Sequence, residues 1–146
     1  IPSRLKYGLN VGRIGRNSTL PTNICFNSKN SNPSLKRKPG SFHWNPIFHN
    51  GNSIITLGNF SPSKNYSSSS ELIMTFYNEF NTDNIEKSVV IPPNGDFRFN
   101  MEKNPDVKSF LNGSDGWITI KSNNPNIQGF YFNFYDSGSI AGDHFF

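Results

Sequence analysis

Through most of the chain apolar and polar residues alternate over short runs. This two-residue period belongs to strands, and it predicts sheet rather than helix. The longest such run is ELIMTFYNEF (71–80), where Leu72, Met74 and Phe76 fall on one face and Ile73, Thr75, Tyr77 and Glu79 on the other. SFHWNPIF (41–48) and NSIITLGNF (52–60) read as strands joined tightly through HNG (49–51). KSVVI (87–91) and DFRFN (96–100) flank PPNG, a turn signal that predicts a hairpin with Val89, Ile91, Phe97 and Phe99 facing one core. GWITIKS (116–122) and IQGFYFNFYD (127–136) are two more strands around NNPN, and SIAGDHFF (139–146) closes the chain as an edge strand after a turn at Asp136–Gly138.

One stretch departs from the period. NPDVKSFLNG (104–113) reads as a helix of one or two turns, capped by Asn104 or Asp106 and ended by Gly113. About seven short strands at this spacing predict an all-β protein, an antiparallel β-sandwich with one short helix. The sandwich domain is placed at residues 41–146. Residues 1–40 read as an irregular basic segment. Their glycines at 8, 12 and 15 do not form GxGxxG, so no phosphate-cradling loop is expected. SPSKNYSSSS (61–70) is a low-complexity polar link, a long or mobile loop.

Composition sharpens this. The hydrophobic share is 34%, below the usual ~45–50%, and 14 Phe supply much of the apolar volume. The single cysteine, Cys25, excludes an internal disulfide and reads as a small hydrophobe. No run of about 18 apolar residues is present, so no membrane-spanning segment is expected. The chain starts at Ile1 without Met, which fits a mature form or the C-terminal part of a larger protein.

The net charge of +4 is unevenly spread: no Asp or Glu precedes Glu71, while nine of the 14 Lys and Arg do. Arg13, Arg16, Lys36, Arg37 and Lys38 therefore form a candidate contact for an anionic partner or surface. The alternative is that the basic half packs on the acidic half, within one chain or between copies. No spacing matches a helix-turn-helix, zinc finger or RNA-recognition motif.

The succession ELIMTFYNEF, SVVIPPNGDFRFN, GWITIKSNNPNIQGFYF, covering residues 71–136, resembles the small β-sandwich domains of the sensory rhodopsin transducer type. The shared pattern is a strand followed by a proline-turn hairpin, then a turn joining two late strands. The resemblance implies an oligomeric, non-enzymatic binding sandwich and carries no functional residue across.

Alternation also predicts a site. With Ile118, Ile120, Phe130, Phe132 and Phe134 in the core, Trp117, Lys121, Tyr131, Asn133 and Tyr135 share an outer face if the last strands pair through NNPN. Aromatic rings beside amide and amine groups suit a protein interface, a second copy, or the C–H face and hydroxyls of a glycan. A purely structural role, with the second sheet burying that face, is the remaining reading. The function expected is thus a non-catalytic binding or self-assembly module, with a carbohydrate-binding module as the alternative.

A small hydrolase using His144 is the second alternative. Asp143 and His144 are adjacent, and neighbours on a strand point to opposite faces, so they are not expected to orient one another. GSIAGD lacks the order of a nucleophile elbow. Among carboxylates only separated ones (Glu71, Glu79, Asp96, Glu102) are available for paired acid–base work. His43 and His49 lie at no dedicated ligand spacing, so neither a metal nor another cofactor is expected. Sequons at Asn17, Asn65 and Asn112 are no more than an Asn- and Ser-rich composition supplies.

Overall fold

The computed structural model describes residues 40–61, 63–80 and 83–144 in full, and the backbone of 6–11 and 22–27. The strands are β1 (Lys6–Val11), β2 (Thr22–Asn27), β3 (Ser41–Ile47), β4 (Asn52–Asn59), β5 (Ser70–Asn78), β6 (Ile85–Ile91), β7 (Asp96–Asn100), β8 (Gly116–Ser122), β9 (Ile127–Phe134) and β10 (Ile140–His144). A 3-10 turn (Met101–Lys103) and the helix α1 (Pro105–Leu111) separate β7 from β8. Two four-stranded antiparallel sheets, ordered β3-β8-β5-β6 and β10-β9-β4-β7, make a sandwich-like all-β fold.

The all-β antiparallel sandwich of about seven strands expected from the sequence is found, with eight strands in its two sheets. One expectation about layout is corrected. Residues 1–40 are not irregular throughout, because β1 and β2 pair antiparallel, and β2 lies near β10 at the sandwich margin. The cluster Arg13, Arg16, Lys36, Arg37 and Lys38 lies outside the described residues.

The core lies between the sheets. Leu72, Met74 and Phe76 of β5 occupy it as alternation predicts, with Ile118 and Ile120 of β8, Ile55 and Leu57 of β4, and Phe99 of β7. Phe76 meets Phe99 across the layers with ring centroids 5.1 Å apart. Ile91 is buried there too, and Val89 and Phe97 pack on its rim. α1 closes one end with Val107 and Leu111. Asn104 is its N-cap, but its side chain donates to Asn100 O instead of capping, and the helix ends at Asn112 in the left-handed region (φ 47°), one residue before Gly113.

The PPNG hairpin is not formed. β6 pairs with β5, β7 pairs with β4, and the turn carries the chain from one sheet to the other. Gly95 N donates to Pro92 O at 3.0 Å, and Asn94 has φ 58°. Pro93 sits at the first central position, where its ring holds φ negative. That excludes the I′ and II′ turns whose twist suits a two-residue hairpin and leaves a type II turn, which splays the strands. NNPN is also a sheet switch: β8 and β9 belong to different sheets.

These switches meet at a buried polar knot around Asn59, which is 0% exposed. Its amide donates to Ser68 O (2.9 Å), Ile91 O (3.2 Å) and Pro92 O (3.1 Å). Its carbonyl oxygen accepts from the Tyr66 hydroxyl and from Asn124 Nδ2. The low-complexity link 61–70 is thereby anchored at Tyr66 and Ser68, and three connections are tied together.

Candidate functional site

Strands β3, β8 and β5 turn a face away from the core on which exposed aromatic and apolar side chains are interspersed with Lys121, Thr119 and Thr75. Their register sets the rows. Phe42, Lys121 and Ile73 lie side by side, as do Trp44, Thr119 and Thr75, then Pro46, Trp117 and Tyr77. Phe42 is 56% exposed, Trp44 48%, Ile73 44% and Trp117 44%. Trp117 stacks on Tyr77 at 5.5 Å with 12° between the rings. The second row ends on β6, where Thr75 Oγ1 donates to Glu86 Oε1 at 3.3 Å. Large rings bury roughly 150–250 Å² each, so these exposures amount to roughly 400 Å² of apolar surface. That lies within the roughly 300–600 Å² of the largest apolar patch on a typical monomer, which is often functional.

This surface is half of the one alternation predicts. Trp117 and Lys121 stand on it. Tyr131 and Asn133 do not: they lie on β9, in the other sheet, and face inward. Asn133 is 1% exposed, its Oδ1 accepts from Ser53 Oγ at 2.6 Å, and Tyr131 packs against the core. Tyr135 follows β9 and sets its ring 5.5 Å from that of Phe48. Phe130, Phe132 and Phe134 are accordingly on the outer face of β9 and not in the core. They gain cover there from Ile54, opposite Phe132 on β4, and Ile140, opposite Phe134 on β10. Gly142 faces Phe132 across the ladder, and a Cβ at Gly142 would lie 2.8 Å from Phe132 Cδ1, so the missing side chain makes room for the ring.

Phe42 and Trp44 are missed because β3 shows the same inversion. Its Asn45, 0% exposed, points in while the rings point out. β3 and β9 approach one another across the sandwich. Alongside the core residue Ile47 of β3, the buried residues Asn45 of β3, Ser53 of β4 and Asn133 of β9 are polar. The signal was the alternation of Phe42, Trp44 and Pro46 against His43, Asn45 and Ile47, which marks two faces but not which one is buried.

Burial holds the Tyr131 hydroxyl above the ordinary phenol range, with the Asp143 carboxylate adding to the effect and Tyr135 a smaller part. Burial and then Asp115 raise Tyr135 in the same direction. Asp143 and His144 do meet, contrary to the strand argument: Asp143 Oδ1 is 2.7 Å from both His144 Nδ1 and His144 N. The carboxylate folds forward onto the next residue at the sheet edge, where solvent leaves both side chains room to turn. Among the described residues no three His, Cys, Asp or Glu side chains gather as metal ligands, and no helix is long and apolar enough to cross a membrane. Comparison with protein-family models, curated proteins and solved structures finds no match to this chain.

Proposed function

We propose that this chain is a non-catalytic binding module that docks through the outer face of β3, β8 and β5, with a second copy of itself as the first occupant. The observation that carries the reading is the exposure of Phe42, Trp44, Ile73 and Trp117 on one sheet face. Rings of this kind dominate the centres of protein interfaces. The charges on the face and its flank are Lys121, Glu71 and Glu86, of both signs. Under a two-fold axis such a face is self-complementary, because a lysine of one copy can meet a glutamate of the other. The stack of Trp117 on Tyr77 favours a protein surface over a glycan, since rings packed face to face offer less open face to a sugar. An oligomeric sandwich is also what the resemblance of residues 71–136 implies.

Removing roughly 400 Å² of apolar surface from water gains on the order of 10 kcal/mol per copy. Two copies together gain about twice that and association costs about 4–15 kcal/mol, so the surplus is at least about 5 kcal/mol and a dissociation constant in the range up to about 0.2 mM is expected. The chain's two tryptophans are Trp44 and Trp117, so its indole fluorescence reports on this face alone. Sedimentation across that concentration range is expected to show a reversible dimer, with acrylamide quenching falling as the dimer forms. Trp44→Ala with Trp117→Ala is expected to leave a folded monomer. A wild-type chain that stays monomeric at millimolar concentration overturns self-association.

A further inference from the structure

We infer that a second, separate site lies at one end of the sandwich: a polar cleft that takes a neutral, hydroxyl-rich ligand the size of one or two sugar rings. The cleft has a volume of about 440 Å³ and is formed where the β3–β4 turn, the residue after Tyr135, the 3-10 turn and α1 converge. Small-molecule sites run from about 300 to 1,000 Å³. Its acceptors are the carboxylates of Glu102 and Asp136 and the carboxamides of Asn50 and Asn52. Lys108 supplies a donor and Phe134 an aromatic ring. His49 also lines it, and His49 Nδ1 is buried without a hydrogen-bond partner. A buried polar atom left unmatched is costly, and a turn of the imidazole toward the cleft would let a ligand hydroxyl satisfy it.

The cleft is built rather than incidental. Asp115 Oδ1 accepts from His49 N at 3.0 Å, which fixes the turn. Gly51 has φ 109°, and a Cβ there would lie 1.8 Å from Phe134 O, so turn and strand approach as closely as glycine alone allows.

The lining selects the ligand class. Two carboxylates against one ammonium disfavour phosphates and carboxylic acids. The mostly polar walls disfavour an apolar guest. Carboxylates make short, charge-assisted bonds to hydroxyls, while the Phe134 ring can cover the C–H face of a sugar. This site uses none of the aromatic residues of the docking face, and either can fail alone.

The test is heteronuclear NMR of the full chain during titration with neutral hexoses, N-acetylhexosamines and, as the anionic control, inorganic phosphate. Expected is a saturable shift of the His49 ring and Gly51 amide with at least one sugar and none with phosphate. Glu102→Ala and Asp136→Ala, both at exposed positions, are expected to weaken binding about tenfold, ~1.4 kcal/mol, with the remaining spectrum unchanged. The inference is overturned if no sugar moves these resonances, if phosphate moves them equally, or if both variants bind as the wild type does. Shifts confined to the Trp44 and Trp117 indoles also overturn it, and would place the sugar on the docking face.

Discussion

Asn59 allows the sharpest test of how this fold is held. Its side chain is fully buried and joins the ends of β4 and β6 to the 61–70 link. Asn59→Ala removes a donor group serving three backbone carbonyls and the acceptor of Tyr66 and Asn124. Each intramolecular bond contributes about 0.5–1.5 kcal/mol net, and a buried group left without a partner costs about 1–3 kcal/mol. Some carbonyls will find water, so the expected loss is about 3–4 kcal/mol. For a chain of 146 residues this lowers Tm by roughly 10 °C, at about 2–4 °C per kcal/mol. Urea unfolding followed by circular dichroism measures the free energy directly. Tyr66→Phe alone is expected to cost about 1–1.5 kcal/mol. Its coupling to Asn59→Ala in a double-mutant cycle is expected at about 0.5–2 kcal/mol. Asn59→Asp keeps an acceptor but buries a charge and loses the donor. It should be at least as damaging as alanine near neutral pH and recover in acid, where the protonated carboxyl donates again. An Asn59→Ala cost below about 1 kcal/mol, or strictly additive effects with Tyr66→Phe, would refute the view that this knot secures the three connections.

Three further outcomes follow from the same geometry. Lys87 Nζ lies 2.7 Å from Asp106 Oδ2 and, chiefly through that hydrogen bond, holds the Asp106 carboxyl below its ordinary value. Its contribution is therefore present above the unfolded carboxylate's pKa and is lost as pH falls through the folded one. Both groups are partly exposed, so Asp106→Asn should cost no more than about 1 kcal/mol, less in high salt, and flatten the acid limb of a stability–pH curve. Tyr131 titrates above the phenol range when folded, so its contribution is intact below the unfolded pKa and declines as pH rises through the folded one. Thermal melts should fall off in the alkaline limb, and Tyr131→Phe should reduce that slope. Ser53→Ala strands the buried Asn133 amide and is expected to cost about 1–3 kcal/mol, whereas Ser53→Ala combined with Asn133→Leu should cost less than the sum of the two single changes, read by urea titration.

Much of this protein is legible in its sequence. Strand positions and the inward set of β5 and β8 follow from period two, because on those strands one face is aliphatic and the other mixed. The short helix follows from the cap position at Asn104 and the Gly113 ending. Trp117 and Lys121 are placed on the outer face for the same reason. Alternation fails on β3 and β9, where both faces carry large side chains. Phe130, Phe132 and Phe134 alternate with Tyr131 and Asn133, and a one-residue change of phase exchanges every side chain between core and surface. Hydrophobicity alone chooses the Phe set for the interior. The folded chain chooses the other, since Asn133 finds Ser53 within it and the Phe rings find cover from Ile54 and Ile140 on the outer face.

Strand pairing was likewise beyond the local pattern. PPNG and NNPN announce turns, and they are turns, but a turn signal does not say which sheet the chain enters next. In PPNG the backbone of Pro93 excludes the hairpin geometry, while Asn59 on a distant strand receives the turn: its N donates to Gly95 O and its O accepts from Asn94 N. The sequence by itself determined that this chain is built of short strands, where most of them lie and which aliphatic residues are buried. Tertiary structure decided the pairing, the phase of β3 and β9, and therefore which aromatic residues are exposed on the outer face of β3, β8 and β5. Period and turn chemistry are properties of neighbouring residues, whereas burial of either face of a strand depends on what the other sheet presents to it.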